Sequence, residues 1–541
     1  MQAFFDFVNR HYYKAVCAVL IAGVALRLFG FLYTPFFYHY RMGDEPAAYR
    51  MAMLYMTGEE KKKQGIELNY EEKRAQYLSS AYLGVDRAAL AGPLQNQLLA
   101  LGIKMSGTIE GAHVVTFILH CLSLILVWHG AQLLFGRRAA LLTLVMAALF
   151  TWPVYYTFGM WHPHFISLVA AAVCYPLIWH LKTQKAVFAA LSAFSYTLFF
   201  QFHLIGAFLF FFIIFYFIFL AEKKRLFIVG VVLGAAAAVV LVYIPYLKME
   251  LSTGFVNVRN LFDHGLFHIE VLKLFSNIVV VGSAEMSRII FQGWQGYQEF
   301  YARYMGSVFV ALPFVFLSMA IPIAGYVYIF RETFIALFRK PLRTWFTEIR
   351  GRKELWFVSG WFFIPWIAYF LRLKYHELRF VALDYPVMYA MFAVAILALY
   401  DRYKGRGAKL IAVGMTVVVV FHVALSIFLF DYGRYELRKP PHLVFSLRYF
   451  DAITRPILAD LKRDGDTTYR FEMDGPTHYS GMMLGRLKDH VVDTTSGAVQ
   501  YNENAKHVYR ISNLPALPGY EMKREIYSVY LHRKLTDAKL K

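Results

Sequence analysis

Eleven apolar runs, each near the ~20 residues a helix needs to cross a bilayer, recur between residues 14 and 430. They fall at roughly 14–35, 112–134, 139–158, 165–181, 186–201, 204–221, 226–247, 306–330, 355–372, 380–400 and 409–430. Lipid offers no partner for backbone polar groups, so such runs fold as helices that satisfy their own hydrogen bonds. A soluble chain of 541 residues needs more polar surface than this one has. It is 58% hydrophobic and 17% charged, where soluble domains are about a quarter charged. The reading is an all-α polytopic membrane protein with about eleven transmembrane helices.

The net charge of +20 does not point to nucleic acid. Much of the excess sits in short loops between apolar runs, where cytoplasmic loops meet anionic lipid. With the N-terminus inside, these loops carry Arg137 and Arg138, then Lys182 and Lys185, then Lys223, Lys224 and Arg225. A longer stretch holds Arg331, Arg339, Lys340, Arg343, Arg350, Arg352 and Lys353, and the last loop Arg402, Lys404 and Arg406. The opposite turns 159–164 and 201–203 have no Lys or Arg. The first run has Arg10 and Lys14 before it but lacks a small-residue cleavage site, so it reads as a retained span. Residues 265–282 carry His268, Glu270 and Lys273 and read as a partly buried amphipathic helix rather than a twelfth span. Cys17, Cys121 and Cys174 lie in or beside apolar runs and make no disulfide framework.

Two domains follow: a membrane module over 1–430, with long external loops 36–111 and 248–305, and an extracytoplasmic domain over 431–541. In the first loop, Glu59 to Arg74 is charged and expected to be mobile. Leu90, Leu94, Leu98, Leu101 and Met105 recur at helical spacing, with Gln95, Gln97 and Lys104 elsewhere on the wheel, which predicts a helix on the membrane surface. After residue 430 an amphipathic helix is expected over 446–463. Strands are expected at Thr468–Met473, His490–Asp493, His507–Ile511 and Glu525–His532, making a small α/β domain.

Candidate chemistry gathers in the external loops. Asp44 and Glu45 precede Pro46, which suits the first turn of a helix. There the helix dipole favours two carboxylates; an N-capping pair is the plain alternative. Tyr49 lies one turn after Glu45. Arg27 is one of few charges inside a span.

Four stretches, in order, resemble the GT-C superfamily of membrane glycosyltransferases, and within it the bacterial relatives of protein O-mannosyltransferases and the lipid A aminoarabinose transferase. They are Asp44-Glu45 with Tyr49; Ala91-Gly92-Pro93-Leu94 through Leu101; Gly159-Met160-Trp161-His162-Pro163-His164; and Glu377-Leu378-Arg379 through Asp384-Tyr385-Pro386. The resemblance covers roughly 14–430. It implies a GT-C-like fold and transfer of a sugar from a polyprenyl-phosphate donor to a glycan, lipid or protein acceptor. The reaction would run at the external surface of the bacterial inner membrane, with inversion at the anomeric carbon.

On that resemblance Asp44 is the base and Glu45 the supporting carboxylate. Arg379 meets the donor phosphate, with Lys374 and His376 beside it; the alternative for Arg379 is an interface anchor. Tyr49, Arg50, His164 and His203 are expected to bind substrate. His162 and His164 stand where relatives carry Asn or an acidic residue, and interfacial histidine is their alternative reading. A divalent cation is compatible with the chemistry, but no metal-ligand spacing appears and no metal site is assigned. The rival functions are a secondary transporter, which would carry its polar residues within the spans, and a non-catalytic binding protein.

Overall fold

The computed structural model describes residues 10–33, 44–78, 92–107, 110–159, 163–255, 293–370, 382–436, 447–473, 499–502, 504–505, 507–512, 520–526 and 529–534. The helices, in order, are α1 (Tyr12–Tyr33), α2 (Asp44–Lys63), α3 (Tyr70–Ala75), α4 (Leu94–Ser106), α5 (Glu110–Leu149), α6 (Thr151–Tyr155), α7 (Pro163–Thr183) and α8 (Ala186–Phe199). Then come α9 (Leu209–Phe215), α10 (Lys224–Ala238), α11 (Ile244–Ser252), α12 (Gly293–Met305), α13 (Val308–Phe330), α14 (Trp345–Gly351), α15 (Lys353–Phe370), α16 (Tyr385–Arg402), α17 (Arg406–Glu436) and α18 (Leu447–Asp464). Among the described residues, seven helical stretches are long and apolar enough to cross a membrane by length and composition, and two shorter apolar ones lie at Ala186–Phe199 and Ile205–Leu220. At 1.5 Å per residue the 40-residue α5 would run about 60 Å, twice a bilayer core. Gly136, at φ 81°, breaks it. Ala131 and Ala140 from either side of the break pack together with Ala390.

The chain divides into two compact units: Met1–Gly30, Tyr77–Leu94 and Thr116–Leu429; and Phe31–Gln76, Gln95–Val115 and Phe430–Lys541. In the first unit, small residues let helices approach. A Cβ on Gly230 or Gly234 of α10 would run into the backbone of Ala186 or Ala190 on α8, the close packing that replaces the hydrophobic effect inside lipid. Aromatic rings fill the remaining space, with Phe212 edge-on to Trp361 at 5.2 Å. Ion pairs tie the basic loops to one another, Lys182 to Glu354 at 2.6 Å and Lys353 to Glu222 at 3.0 Å, and Arg352 to Glu332 at 3.0 Å closes the longest loop on itself. Arg138 meets Asp401 at 3.0 Å.

In the second unit, Glu59–Arg74 is ordered where mobility was expected. Its charges answer one another. Asn69 and Glu72 form a capping box on α3, worth about 1 kcal/mol. Lys61 reaches Glu72 at 2.6 Å and Lys73 reaches Glu67 at 2.9 Å. The Asn96 amide donates to the Ala75 carbonyl at 3.0 Å and anchors α4 on α3. On α4 Leu101 and Met105 are exposed while Gln95, Asn96, Leu99 and Ile103 are buried. The expected apolar stripe faces outward and the amides face protein. In the C-terminal part, Ile453, Ile457 and Leu461 of α18 are buried as the periodicity predicts.

The five strands are β1 (Thr468–Met473), β2 (Gln500–Tyr501), β3 (Val508–Ser512), β4 (Tyr520–Ile526) and β5 (Val529–Lys534). They form a mixed sheet in the order β2-β1-β3-β5-β4. β1 runs parallel to β2 and β3, and β5 antiparallel to β3 and β4. The single strand expected at Glu525–His532 is instead the close of a hairpin, with Ile526 opposite Val529. Residues 265–282 and the strand expected at His490–Asp493 lie outside the described residues.

Candidate functional site

The first unit is organised around a helix break. Phe150 turns extended, at φ −71° and ψ 145°, so α5 ends inside the bundle. The Thr151 N–H leaves the helix ladder and donates to His422 Nδ1 at 3.2 Å. The carbonyls of Ala147 and Ala148 accept instead from the guanidinium of Arg27, which also bonds Gly23 O and Thr157 Oγ1, each at 3.0 Å. Arg27 is 1% exposed. Its role is to cap a helix C-terminus, where a cation is favoured, in a place water cannot reach.

After this break the chain runs through a short helical turn at Tyr156–Phe158 to Gly159, and α7 begins at Pro163. Met160, Trp161 and His162 lie outside the described residues. His164 is 2% exposed, and its Nδ1 donates to the Tyr156 carbonyl at 2.8 Å. A Cβ at Gly159 would fall on the His164 ring, so glycine is required there. Phe165 stacks on Phe202 at 5.2 Å, which joins the start of α7 to the Gln201–His203 turn. His203 is buried and its Nδ1 accepts from the Ile205 N–H at 3.0 Å. The Gly92-Pro93-Leu94 turn docks on the same place. Gln201 Oε1 accepts from the Leu94 N–H at 3.1 Å. Gly92 sits at φ +102° with no room for a side chain beside Gln201.

The described part of the fourth stretch arrives here too. Tyr385 lies 6.1 Å from Trp152. Asp384 is 1% exposed and accepts a 2.5 Å bond from the Trp366 indole. The Trp361 indole holds the Leu383 carbonyl at 3.1 Å. Described parts of three of the four stretches singled out in the sequence therefore converge in one unit. Among the described residues Asp384 Oδ1, Trp152 Nε1, the Tyr389 hydroxyl, Ser167 Oγ and His120 Nε2 are buried without a hydrogen-bond partner. Such atoms are costly in an apolar interior. None of these five stands out in the sequence as a candidate for a role. An acid directly before a long apolar run was the available signal for Asp384.

The second unit holds the acidic stretch. Asp44 and Glu45 are the first two residues of α2, the position favoured for carboxylates by the helix dipole; their side chains lie outside what is described. Tyr49 is buried at 6%, on a face shared with Ala48, Met51 and Ala52, and Arg50 is half-buried. Further along, Tyr55 accepts from the Gln97 amide at 3.1 Å, and its carbonyl accepts from Gln76 at 2.9 Å. Burial pushes the Tyr55 phenol up. Lys374, His376 and Arg379 lie outside the described residues. Among those described, no three His, Cys, Asp or Glu side chains gather as a metal site.

No protein family and no curated protein matches the chain. Among solved structures it is similar to the archaeal oligosaccharyltransferase AglB from Archaeoglobus fulgidus, in complex with an inhibitory peptide and a dolichol-phosphate. The two are 11% identical, with 93% of this chain and 70% of that one covered and a TM-score of 0.47. It is similar to ArnT from Cupriavidus metallidurans bound to undecaprenyl phosphate, at 13% identity over 96% of this chain and 98% of that one, with a TM-score of 0.47. To the apo state of the same ArnT the identity is 12% and the TM-score 0.48, over the same shares of the two chains.

Proposed function

We propose that this chain is a GT-C-type glycosyltransferase that moves a sugar from a polyprenyl-phosphate carrier to an acceptor at the external surface of the bacterial inner membrane. The observation that carries the reading is the convergence in one unit of residues 92–94, 156–159, 163–165, 201–203 and 382–386, linked by direct contacts. The second unit by itself contributes an acidic pair that opens the helix described next after the first apolar one.

In the proposed reaction the acceptor hydroxyl attacks the anomeric carbon as Asp44 takes its proton, and the sugar–phosphate bond breaks. Glu45 holds Asp44 in place. The departing lipid phosphate carries the developing charge, which cations stabilise. Arg379, Lys374 and His376 supply them, and Tyr49 and Arg50 hold the substrate. His164 and His203 act through the turns they close. The acceptor is a glycan, a lipid or a protein.

The test uses the purified full-length chain with undecaprenyl-phosphate-linked sugars, reading release of undecaprenyl phosphate. Asp44→Asn keeps the size and the capping ability of the side chain but loses its basicity. Turnover should fall roughly 10²–10⁴-fold, as for loss of a general base, with donor binding retained. Equal turnover of the two proteins removes Asp44 as the base. Absence of transfer from any such donor by a wild-type chain that binds it sinks the reading as a whole.

A further inference from the structure

We propose that the segment from Arg331 to Lys353 is a docking surface for the anionic phospholipid headgroups of the leaflet it faces. It belongs wholly to the first unit and is independent of the transfer reaction. The segment holds seven basic residues against two acidic ones. The acids are already answered: Glu348 pairs with Lys340 at 3.3 Å, and Glu332 with Arg352 at 3.0 Å. Lys353 is held by Glu222. Arg339, Arg343 and Arg350 are exposed and have no ion pair among the described residues.

Next to these arginines the segment turns apolar side chains outward. Phe338 is 65% exposed and Leu342 75%. This is no floppy loop. The Trp345 indole donates to the Lys340 carbonyl at 3.2 Å, and Thr344 Oγ1 to the Pro341 carbonyl at 2.8 Å. Phe338 meets Trp345 edge-on at 5.5 Å, and Phe346 packs on Phe219 at 4.8 Å, pinning the segment to the bundle. A held turn that presents leucine and phenylalanine next to exposed arginines matches the boundary of acyl chain and headgroup. The apolar groups leave water there, and guanidinium forks bind phosphate in two-bond geometry. A soluble acidic partner would satisfy the arginines but would not by itself explain the outward apolar pair beside the apolar helices.

Two measurements on the full chain test this. Native mass spectrometry, from mixed micelles of phosphatidylcholine and phosphatidylglycerol, should show preferential retention of phosphatidylglycerol. Arg339→Gln, Arg343→Gln and Arg350→Gln together should reduce that preference by roughly fivefold per arginine and leave the melting temperature unchanged. A nitroxide on Leu342→Cys, in a chain with Cys17, Cys121 and Cys174 replaced by Ala, should be reached by oxygen more than by an aqueous nickel chelate in nanodiscs. One at Lys404→Cys, in an exposed polar turn, is the aqueous reference. Equal lipid retention by the triple variant and the parent overturns the proposal. So does a label at 342 as open to nickel as the one at 404, or one that leaves water only when an acidic soluble protein is added.

Discussion

A cation inside an apolar helix is expensive in lipid, and Arg27 is tolerated because the bundle supplies four acceptors for it. Two of them, Ala147 O and Ala148 O, would otherwise end α5 with orphaned carbonyls. Arg27→Leu fits the surrounding apolar volume but strips both partners away. At about 1–3 kcal/mol for each buried carbonyl left without a bond, the variant should lose on the order of 2–6 kcal/mol. Arg27→Lys keeps the charge but not the fork and should fall between. Thermal unfolding of detergent-purified protein reads the difference, and a Leu variant as stable as wild type would mean Arg27 caps nothing. The charge itself was legible as unusual; its purpose was not. That purpose depends on a helix break 120 residues away, at Phe150, whose own sequence, Phe-Thr-Trp-Pro, reads as a continuing apolar run.

At the scale of elements, the turn at Gly92 shows how a short motif becomes a structural requirement. The Gly92 N–H donates to the Tyr77 carbonyl at 2.8 Å while φ stands at +102°, a conformation L side chains rarely adopt. A side chain would also have to displace Gln201, which holds Leu94. Gly92→Ala therefore combines backbone strain with overpacking, roughly 2–4 kcal/mol together, and should detach the 92–94 turn from the 201–203 turn. Limited proteolysis near residue 92 and a lowered melting temperature would report it; an unchanged protein would show that the glycine is incidental. The Gly-Pro-Leu signal was readable, and so was the helix that follows it. Its partner was not, since only the chain's path brings Gln201 back to it. Charge density misled the reading at Glu59–Arg74. Lys61–Glu72, Lys73–Glu67 and the Asn69 cap are local pairings that organise charged residues, whereas the mobility expectation treated them as solvated separately.

For the whole molecule, apolar run length placed most of the helices within a few residues, because hydrocarbon thickness leaves little freedom, but it carried the run at 139–158 straight across the break at Phe150. Which turns meet was beyond that signal. Lys/Arg asymmetry went further than run length. It grouped the loops at 182–185, 222–225 and 331–353 on one side, and ion pairs now join the same loops: Lys182 with Glu354, Lys353 with Glu222. The uncharged turn at 201–203 belongs to the opposite end of the adjoining helix α8, which runs from Ala186 to Phe199. From this a sidedness experiment follows. In a chain with its three native cysteines replaced by Ala, single cysteines at Gln184 and Lys404 should be silent to a membrane-impermeant maleimide in intact cells and react after permeabilisation. A cysteine at Gly107, in the 36–111 segment expected to be external, should react in both. The positive-inside rule sets the orientation, while the ion-paired loops require only that 184 and the 331–353 segment behave alike. Labelling at 184 and 404 in intact cells, with 107 protected, would invert the membrane orientation and put the proposed transfer site on the cytoplasmic face. Labelling that separates 184 from a cysteine at Arg343 would contradict the packing of the first unit itself.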